Sequence, residues 1–235
     1  MKSLFLGTAA LALSAGLAMA DTVRLGTEGA YPPYNFLNDA GEIDGFEREL
    51  GDELCKRAGQ TCEWVTNDWD SIIPNLTSGN YDAIIAGMSI TAERAEVVDF
   101  TQGYTQPSPS SFAAMSADID LKTAVIAAQA STIQAAHVAE SGATLVEFPT
   151  PDETIAAVKS GEADAVLSDK DYLNPIVAET DLMLIEDILL GGGIGMAFRK
   201  SDTELRGKFD AAIASMKEDG SLNEMLAKWE IEGQF

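Results

Sequence analysis

The chain writes one pattern twice. Ser78-Gly79-Asn80-Tyr81-Asp82-Ala83-Ile84-Ile85-Ala86-Gly87 returns as Ser160-Gly161-Glu162-Ala163-Asp164-Ala165-Val166-Leu167-Ser168-Asp169. Each copy follows a helix-like stretch. Each then runs Gly, two residues, Asp-Ala and a short apolar strand that ends on a small or polar residue. Glycine suits the left-handed position after a helix, and a short β-branched run suits a buried strand. Two copies of one helix-to-strand unit imply two similar α/β lobes. Ligands of such sheets sit outside the carboxyl ends of the strands. Gly87 and Asp169 stand at matching strand ends, one per lobe, as opposing jaws of a small-molecule clamp.

Composition narrows the class. The 235 residues are 46% hydrophobic, enough for one large core or two small ones. Fifteen Lys and Arg against 38 Asp and Glu argue against nucleic acid, which needs a basic stripe, and disfavour anionic membrane surfaces. A cationic or zwitterionic ligand is compatible with that balance, which also serves solubility. The first residues read as a secretory signal peptide over 1–20. Lys2 supplies the positive start, Leu4 to Leu17 the apolar stretch, and Ala18-Met19-Ala20 the cleavage site, with Asp21 as the mature N-terminus. No cysteine stands at the cleavage point, so a lipid anchor there is not expected. No later stretch is long and apolar enough to span a bilayer.

The two cysteines, Cys55 and Cys62, flank a helix end that turns into a strand. Export permits a disulfide between them, and two free thiols are the alternative. With a single histidine and no Cys/His cluster, neither a metal nor another cofactor is expected. His137, among alanines, reads as a surface residue.

The elements follow from pattern. Strands are expected at Val23–Thr27, Cys62–Val65 and Ala83–Ala86, with a helix over Phe46–Ala58 whose Phe46, Leu50 and Leu54 share a face. Asp70 would cap a helix carrying Pro74 in its first turn. Pro107 and Pro109, among serines, mark a crossing segment. Val125–Ala128 would open the second lobe as a strand, followed by a helix from Ile133 capped by Ser131 and Thr132. Thr144–Phe148 and Ala165–Leu167 are further strands, with a helix over Pro151–Lys159 between them. The glycine run Gly191 to Gly195 is not followed by a helix, so it is a turn or hinge and not a dinucleotide loop. Met196-Ala197-Phe198 is a strand returning to the first lobe, and Leu205–Met216 and Leu222–Trp229 are closing helices. The first lobe is thus discontinuous, over 21–107 and 198–235, with 108–197 inserted as the second.

One segment concentrates chemistry: Ala86-Gly87-Met88-Ser89-Ile90-Thr91-Ala92-Glu93-Arg94. Thr91 is a helix cap, which puts Arg94 in the first helical turn, where the macrodipole disfavours a cation. A bound anion would resolve that conflict, since a guanidinium matches a carboxylate bidentately. Taken alone, Arg94 reads as a surface arginine, Asp169 as a loop acid, and Tyr31 and Trp69 as core aromatics.

Set together, these segments resemble periplasmic solute-binding proteins of the polar amino-acid ABC transporter family. The residues that carry the resemblance are Gly26 to Tyr34, Ile43-Asp44-Gly45-Phe46-Glu47, Glu53 to Arg57, Asp68-Trp69-Asp70-Ser71-Ile72-Ile73-Pro74, Ala86 to Arg94, Asp164 to Asp169 and Gly195 to Lys200. The branch most resembled binds arginine, lysine, ornithine, histidine or opines. The resemblance implies a type II periplasmic binding protein fold, two Rossmann-like α/β lobes joined by two hinge strands. It implies an amino acid held in the interlobe cleft of a periplasmic monomer that delivers to an inner-membrane permease and could also serve a chemoreceptor. By the same resemblance Arg94, Ser89, Ser131 and Thr132 would hold the ligand carboxylate. Asp169 and the Gly87 carbonyl would hold its ammonium. Tyr31 and Trp69 would sandwich its side chain, with Met88 nearby and Glu28 at the distal end.

Departures touch selectivity. Ala86 and Met88 stand where basic-ligand members often carry hydroxyls or small residues, and Ala127-Ala128 precedes Gln129-Ala130 where many relatives have glycine before the Ser/Thr pair. An acid at the Glu28 place also occurs in glutamine binders. Arginine is expected first, then lysine, ornithine or histidine, with glutamine the main neutral contender. The rival class is enzymatic, because periplasmic cyclohexadienyl dehydratases share the fold and Glu28 could act as a general acid. The Tyr31-Pro32-Pro33-Tyr34 loop and Trp69 favour binding without catalysis.

Overall fold

The computed structural model describes residues 22–235, so the signal-peptide reading falls outside the described residues. In chain order the strands are β1 (Val23–Thr27), β2 (Ala30–Tyr31), β3 (Asn35–Leu37), β4 (Ile43–Asp44), β5 (Cys62–Thr66), β6 (Ala83–Ile84), β7 (Val98–Phe100), β8 (Ser110–Ala114), β9 (Val125–Gln129), β10 (Thr144–Phe148), β11 (Ala165–Asp169), β12 (Met183–Ile188) and β13 (Ala197–Arg199). The helices are α1 (Phe46–Arg57), α2 (Ile72–Thr77), α3 (Ala92–Ala95), α4 (Ile133–Ser141), α5 (Pro151–Ser160), α6 (Lys170–Glu179), α7 (Thr203–Glu218) and α8 (Ser221–Lys228).

Two five-stranded sheets form, in the orders β5-β1-β6-β13-β7 and β10-β9-β11-β8-β12, beside a small sheet β2-β3-β4. The two orders superpose by role. In each, three parallel strands come first, and the fourth runs antiparallel to the third. The repeated motif supplies the third strand both times, β6 in one sheet and β11 in the other. Gly79 and Gly161 after α2 and α5 take the positive φ expected of them, 86° and 79°. The fourth strands are exchanged: β8 is reached by the segment leaving the first lobe, and β13 by the segment leaving the second.

Those two crossings lie side by side and pair with each other. Thr101 and Tyr104 donate backbone N–H to Met196 and Ile194 at 3.0 and 2.7 Å. The glycine run packs here as a hinge. Gly193 has φ 88°, and a Cβ on it would sit 2.6 Å from the Thr105 carbonyl oxygen.

Several expectations need correction. The second sheet opens with β8, not with the strand at Val125. Ser110-Ser111-Phe112-Ala113-Ala114 is buried on both faces, so it shows no alternation and few β-branched residues. Asp70 caps nothing: Trp69–Ser71 form a 3₁₀ turn, and Ser71 precedes α2 without a side-chain cap bond. The strand expected over Ala83–Ala86 keeps only Ala83 and Ile84, because the chain turns at Gly87 toward the cleft. Thr132 alone caps α4, its hydroxyl accepting from Ala135 N, while Ser131 adopts φ 60°. β12, α6, β7 and the small sheet had no counterpart in the sequence reading.

Cys55, buried at the end of α1, is bonded to Cys62 at the start of β5, with Cα atoms 6.2 Å apart. The bond closes a short loop, so its chain-entropy contribution is roughly 2–3 kcal/mol. Reduction should lower the unfolding free energy by about that amount without changing the fold, which urea unfolding of the oxidised and reduced protein will measure.

Candidate functional site

The carboxyl ends of β1, β5, β6, β9 and β11 all open on one cleft between the sheets. From the first lobe come Glu28 and Tyr31 after β1, Trp69 after β5, Ala86, Gly87 and Ser89 after β6, and Arg94 from α3. The second lobe contributes Gln129 at the end of β9, Thr132, Ile133 and Gln134 at the start of α4, and Leu167, Ser168 and Asp169 at the end of β11. Together they line a narrow cavity of about 30 Å³.

Arg94 enters the cavity from α3. Its Nη1 donates to the Ser89 carbonyl at 3.0 Å, and its Nη2 reaches the Ser131 carbonyl at 3.4 Å. The Trp69 ring lies 5.3 Å from its Cζ and supports it by a cation–π contact. Both hydrogen bonds go to carbonyl oxygens, so among the described residues no carboxylate hydrogen bond neutralises this guanidinium. Enclosure in the cleft pulls its pKa down to about 10, against the opposing influence of Asp169 and Glu93.

Asp169 faces it from the second lobe. Its Oδ1 accepts from Gln134 Nε2 at 2.7 Å and Ser110 Oγ at 3.1 Å, and its Oδ2 from the Tyr31 hydroxyl at 2.8 Å. Loss of water pushes its carboxyl pKa up, while these donors and the Arg94 charge pull it down. Glu28 lines the same cavity, and its Oε1 accepts from Gln129 Nε2 at 2.6 Å. Burial pushes the Glu28 carboxyl up to about 7, with the Gln129 bond opposing.

Contacts across the cleft hold the lobes closed. Tyr31–Asp169, Gln129–Glu28 and Trp69 Nε1 to the Ser131 carbonyl at 3.3 Å all join one lobe to the other. Tyr34 OH also donates to Asp171 Oδ2 at 2.8 Å, and the Tyr31 and Tyr172 rings stack at 4.8 Å. Two features favour glycine at Gly87: its φ is 62°, and a Cβ would lie a close 3.3 Å from Tyr31 Cδ1.

Eight of the ten expected site residues line this cavity: Glu28, Tyr31, Trp69, Gly87, Ser89, Arg94, Thr132 and Asp169. Met88 does not. Gly87 turns the chain, and the Met88 side chain is fully buried in the core beside Trp69 and Ile84. Ser131 lies on the outer rim with its side chain in an adjoining open groove, and only its carbonyl reaches Trp69 and Arg94. The sequence reading missed Gln129, Gln134 and Ser168. All three stand at or just beyond the carboxyl ends of β9 and β11, and that placement was the signal available for them.

The geometry agrees with comparisons to known proteins. Residues 23–232 match the family described as bacterial extracellular solute-binding proteins, family 3, and the chain belongs to that family. The L-arginine-binding protein of Pseudomonas aeruginosa is 33% identical over 226 residues, 88% of this chain and 87% of that one. A periplasmic His/Glu/Gln/Arg/opine family-binding protein from Silicibacter pomeroyi, solved in complex with lysine, is 72% identical with TM-score 0.87, over 88% of this chain and 96% of that one. An ancestral amino acid-binding protein described as a precursor of cyclohexadienyl dehydratase is 30% identical with TM-score 0.80, over 88% of this chain and 95% of that one.

The Glu28 environment has a measurable consequence. Its folded pKa, about 7, stands above the ordinary 4.5. The folded state therefore holds its proton more tightly than the unfolded state, and stability is lost as pH rises from 4.5 through 7. Glu28→Gln should remove that slope and gain about 2–3 kcal/mol over the wild type above neutrality, before ligand is added. Urea titrations of both ligand-free proteins at pH 5, 6, 7 and 8 will test it.

Proposed function

We propose that this protein is the periplasmic substrate-binding component of an amino-acid ABC transporter and captures a cationic L-amino acid, arginine or lysine foremost, between its lobes. The observation that carries this reading is the set of charges lining one cavity: Arg94 and Asp169, near enough to act on each other, and Glu28, on which neither acts. An α-amino acid with a cationic tail presents the complementary set of carboxylate, ammonium and distal cation. Arg94 would take the carboxylate with the Ser89 and Thr132 hydroxyls. Asp169 and the Gly87 carbonyl would take the α-ammonium, and Glu28 with Gln129 the distal group. Tyr31 and Trp69 would border the aliphatic stem.

On this reading the unit is a lobe of 21–107 with 198–235 closing on a lobe of 108–197. The ligand favours closure because it bonds to both. The protein does no chemistry and hands its ligand to an inner-membrane permease. Export would follow cleavage after Ala20, so intact mass of the periplasmic protein should begin at Asp21 with no alkylatable thiol. A retained leader or two free thiols would refute that processing.

Calorimetry tests the site. Removing one member of a buried charge pair costs about 3–5 kcal/mol when the other stays buried. Arg94→Ala and Asp169→Ala should therefore weaken arginine and lysine by orders of magnitude while remaining folded. Glu28→Gln should penalise both cationic ligands more than glutamine, since a hydrogen bond to a charged group contributes about 1.5–3 kcal/mol. Near-normal affinity in either alanine variant, or wild-type preference for glutamate or an apolar amino acid, would sink the assignment. One observation favours the enzymatic alternative: a Glu28 carboxyl near neutral pKa suits a general acid. Incubation with prephenate or arogenate, watched for an aromatic product, separates the two.

A further inference from the structure

Glu47 is a fully buried carboxylate outside the cavity, and its partners are all neutral. It lies in the first turn of α1 with no exposed surface, as do Asn35 and Tyr104. Its Oε1 accepts from Gly87 N at 2.6 Å and from the Tyr104 hydroxyl, and its Oε2 from Asn35 Nδ2 at 2.7 Å. Asn35 continues the chain of bonds, its Oδ1 accepting from Gly29 N at 2.7 Å. Burial without a cation costs such a group several kcal/mol, so stability alone does not account for a carboxylate here. Its geometry does. Three donors converge from two sides, and only a group with acceptors at both ends can satisfy them all.

The three donors belong to segments that the cleft must keep in register. Gly29 adjoins Glu28 and lies two residues before Tyr31, so Asn35 ties the loop that presents both. Gly87 is the strand-end turn facing Asp169. Tyr104 belongs to a hinge crossing, and its backbone N–H donates to Ile194 on the other at 2.7 Å.

We propose that Glu47 is the positioning residue of the first jaw: its carboxylate fixes the Gly87 backbone and, through Asn35, the Glu28–Tyr31 loop relative to the hinge. It does not touch ligand. This role rests on the amino-acid-binding function proposed above.

The bond pattern prescribes a charge-swap experiment. Glu47→Gln keeps an acceptor toward Gly87 and Tyr104 but turns an amide N–H toward the Asn35 N–H. Turning Asn35 over would relieve that clash only by breaking its bond from Gly29. In the double variant Asn35→Asp with Glu47→Gln, the new carboxylate accepts from both Gly29 and the new amide, and every bond is restored. The measurements are the Kd for L-lysine and L-arginine by calorimetry and the thermal midpoint by circular dichroism, on the full mature protein.

Glu47→Gln should weaken both ligands at least tenfold, and the double variant should recover at least fivefold of that loss. Should Glu47→Gln alone not fold, the double variant must fold and bind within tenfold of wild type. A folded Glu47→Gln with a lowered midpoint but a Kd within tenfold of wild type would make the residue structural only and overturn the proposal. A double variant that fails to recover overturns it equally. If the wild type itself binds neither lysine nor arginine, the functional reading falls and this role falls with it. Loss confined to the variants' behaviour leaves that reading standing.

Discussion

Each sheet depends on a strand that arrives from the other side of the molecule. β6 and β11 end their parallel runs with an open edge, and an unpaired row of backbone groups is costly and adhesive. β13 closes the first edge through Ala197 opposite Ile84, and β8 closes the second along Ser110 to Ala114. To deliver them the chain must cross between lobes twice. The two crossings then satisfy each other's backbone groups, which makes a paired hinge out of what would otherwise be two loose linkers. The cleft follows from the same constraint, since the parallel strands of both sheets point their carboxyl ends at the line of crossing.

Electrostatics is then set by exclusion of water from that line. Asp169 and Glu28 are held above their ordinary pKa and Arg94 below its own, each chiefly because closure desolvates it. Groups in that condition gain most from an opposite charge brought in by a ligand, because the cost of drying them has already been met by the fold. The neutral donors around Asp169 temper that cost without cancelling it. Gln134 and Ser110 fix the orientation of the carboxylate, and Tyr31 reaches it from the opposite lobe, so contact between the jaws and the orientation of Asp169 are parts of one arrangement.

Legibility in the sequence divided along physical lines. The repeated motif exposed the third strand of each sheet because glycine punctuates the preceding helix and β-branched or aliphatic residues fill the buried strand. Charged and aromatic cleft residues were legible through the family resemblance, since alone Arg94 reads as a surface arginine, Asp169 as a loop acid, and Tyr31 and Trp69 as core aromatics. β8 was not legible, since Ser-Ser-Phe-Ala-Ala has neither alternation nor strand propensity and exists as a strand only through β11 and β12. β2, β3 and β4 have two or three residues each and form only by pairing with one another. Gln129 and Gln134 carry no charge and no motif, so their place at or just beyond the end of β9 was the one signal for them. Met88 belongs to the core because it shares the alternate positions of Ile84 and Ala86, which face the same buried cluster.

The two jaws are built on different physical terms. The second jaw places Asp169 at the last residue of β11, where a regular ladder against β8 fixes its backbone. The first jaw has no such ladder: β6 stops at Ile84, three residues short of Gly87. Main-chain pairing resumes beyond the turn, where the Met88 carbonyl accepts from Gly195 N at 3.2 Å and Ser89 bridges Ile194, and Gly87 itself is held by the bond from its N–H to Glu47. A strand end can be positioned by main-chain pairing at no cost in buried charge. The N–H of a residue that turns out of the sheet takes an acceptor brought from elsewhere in the chain. The buried carboxylate of α1 supplies that acceptor, and the same atom receives the Tyr104 hydroxyl from the hinge. The crossing segments are thereby tied to the Gly87 turn by a side chain as well as by the main-chain bonds of Met88 and Ile90.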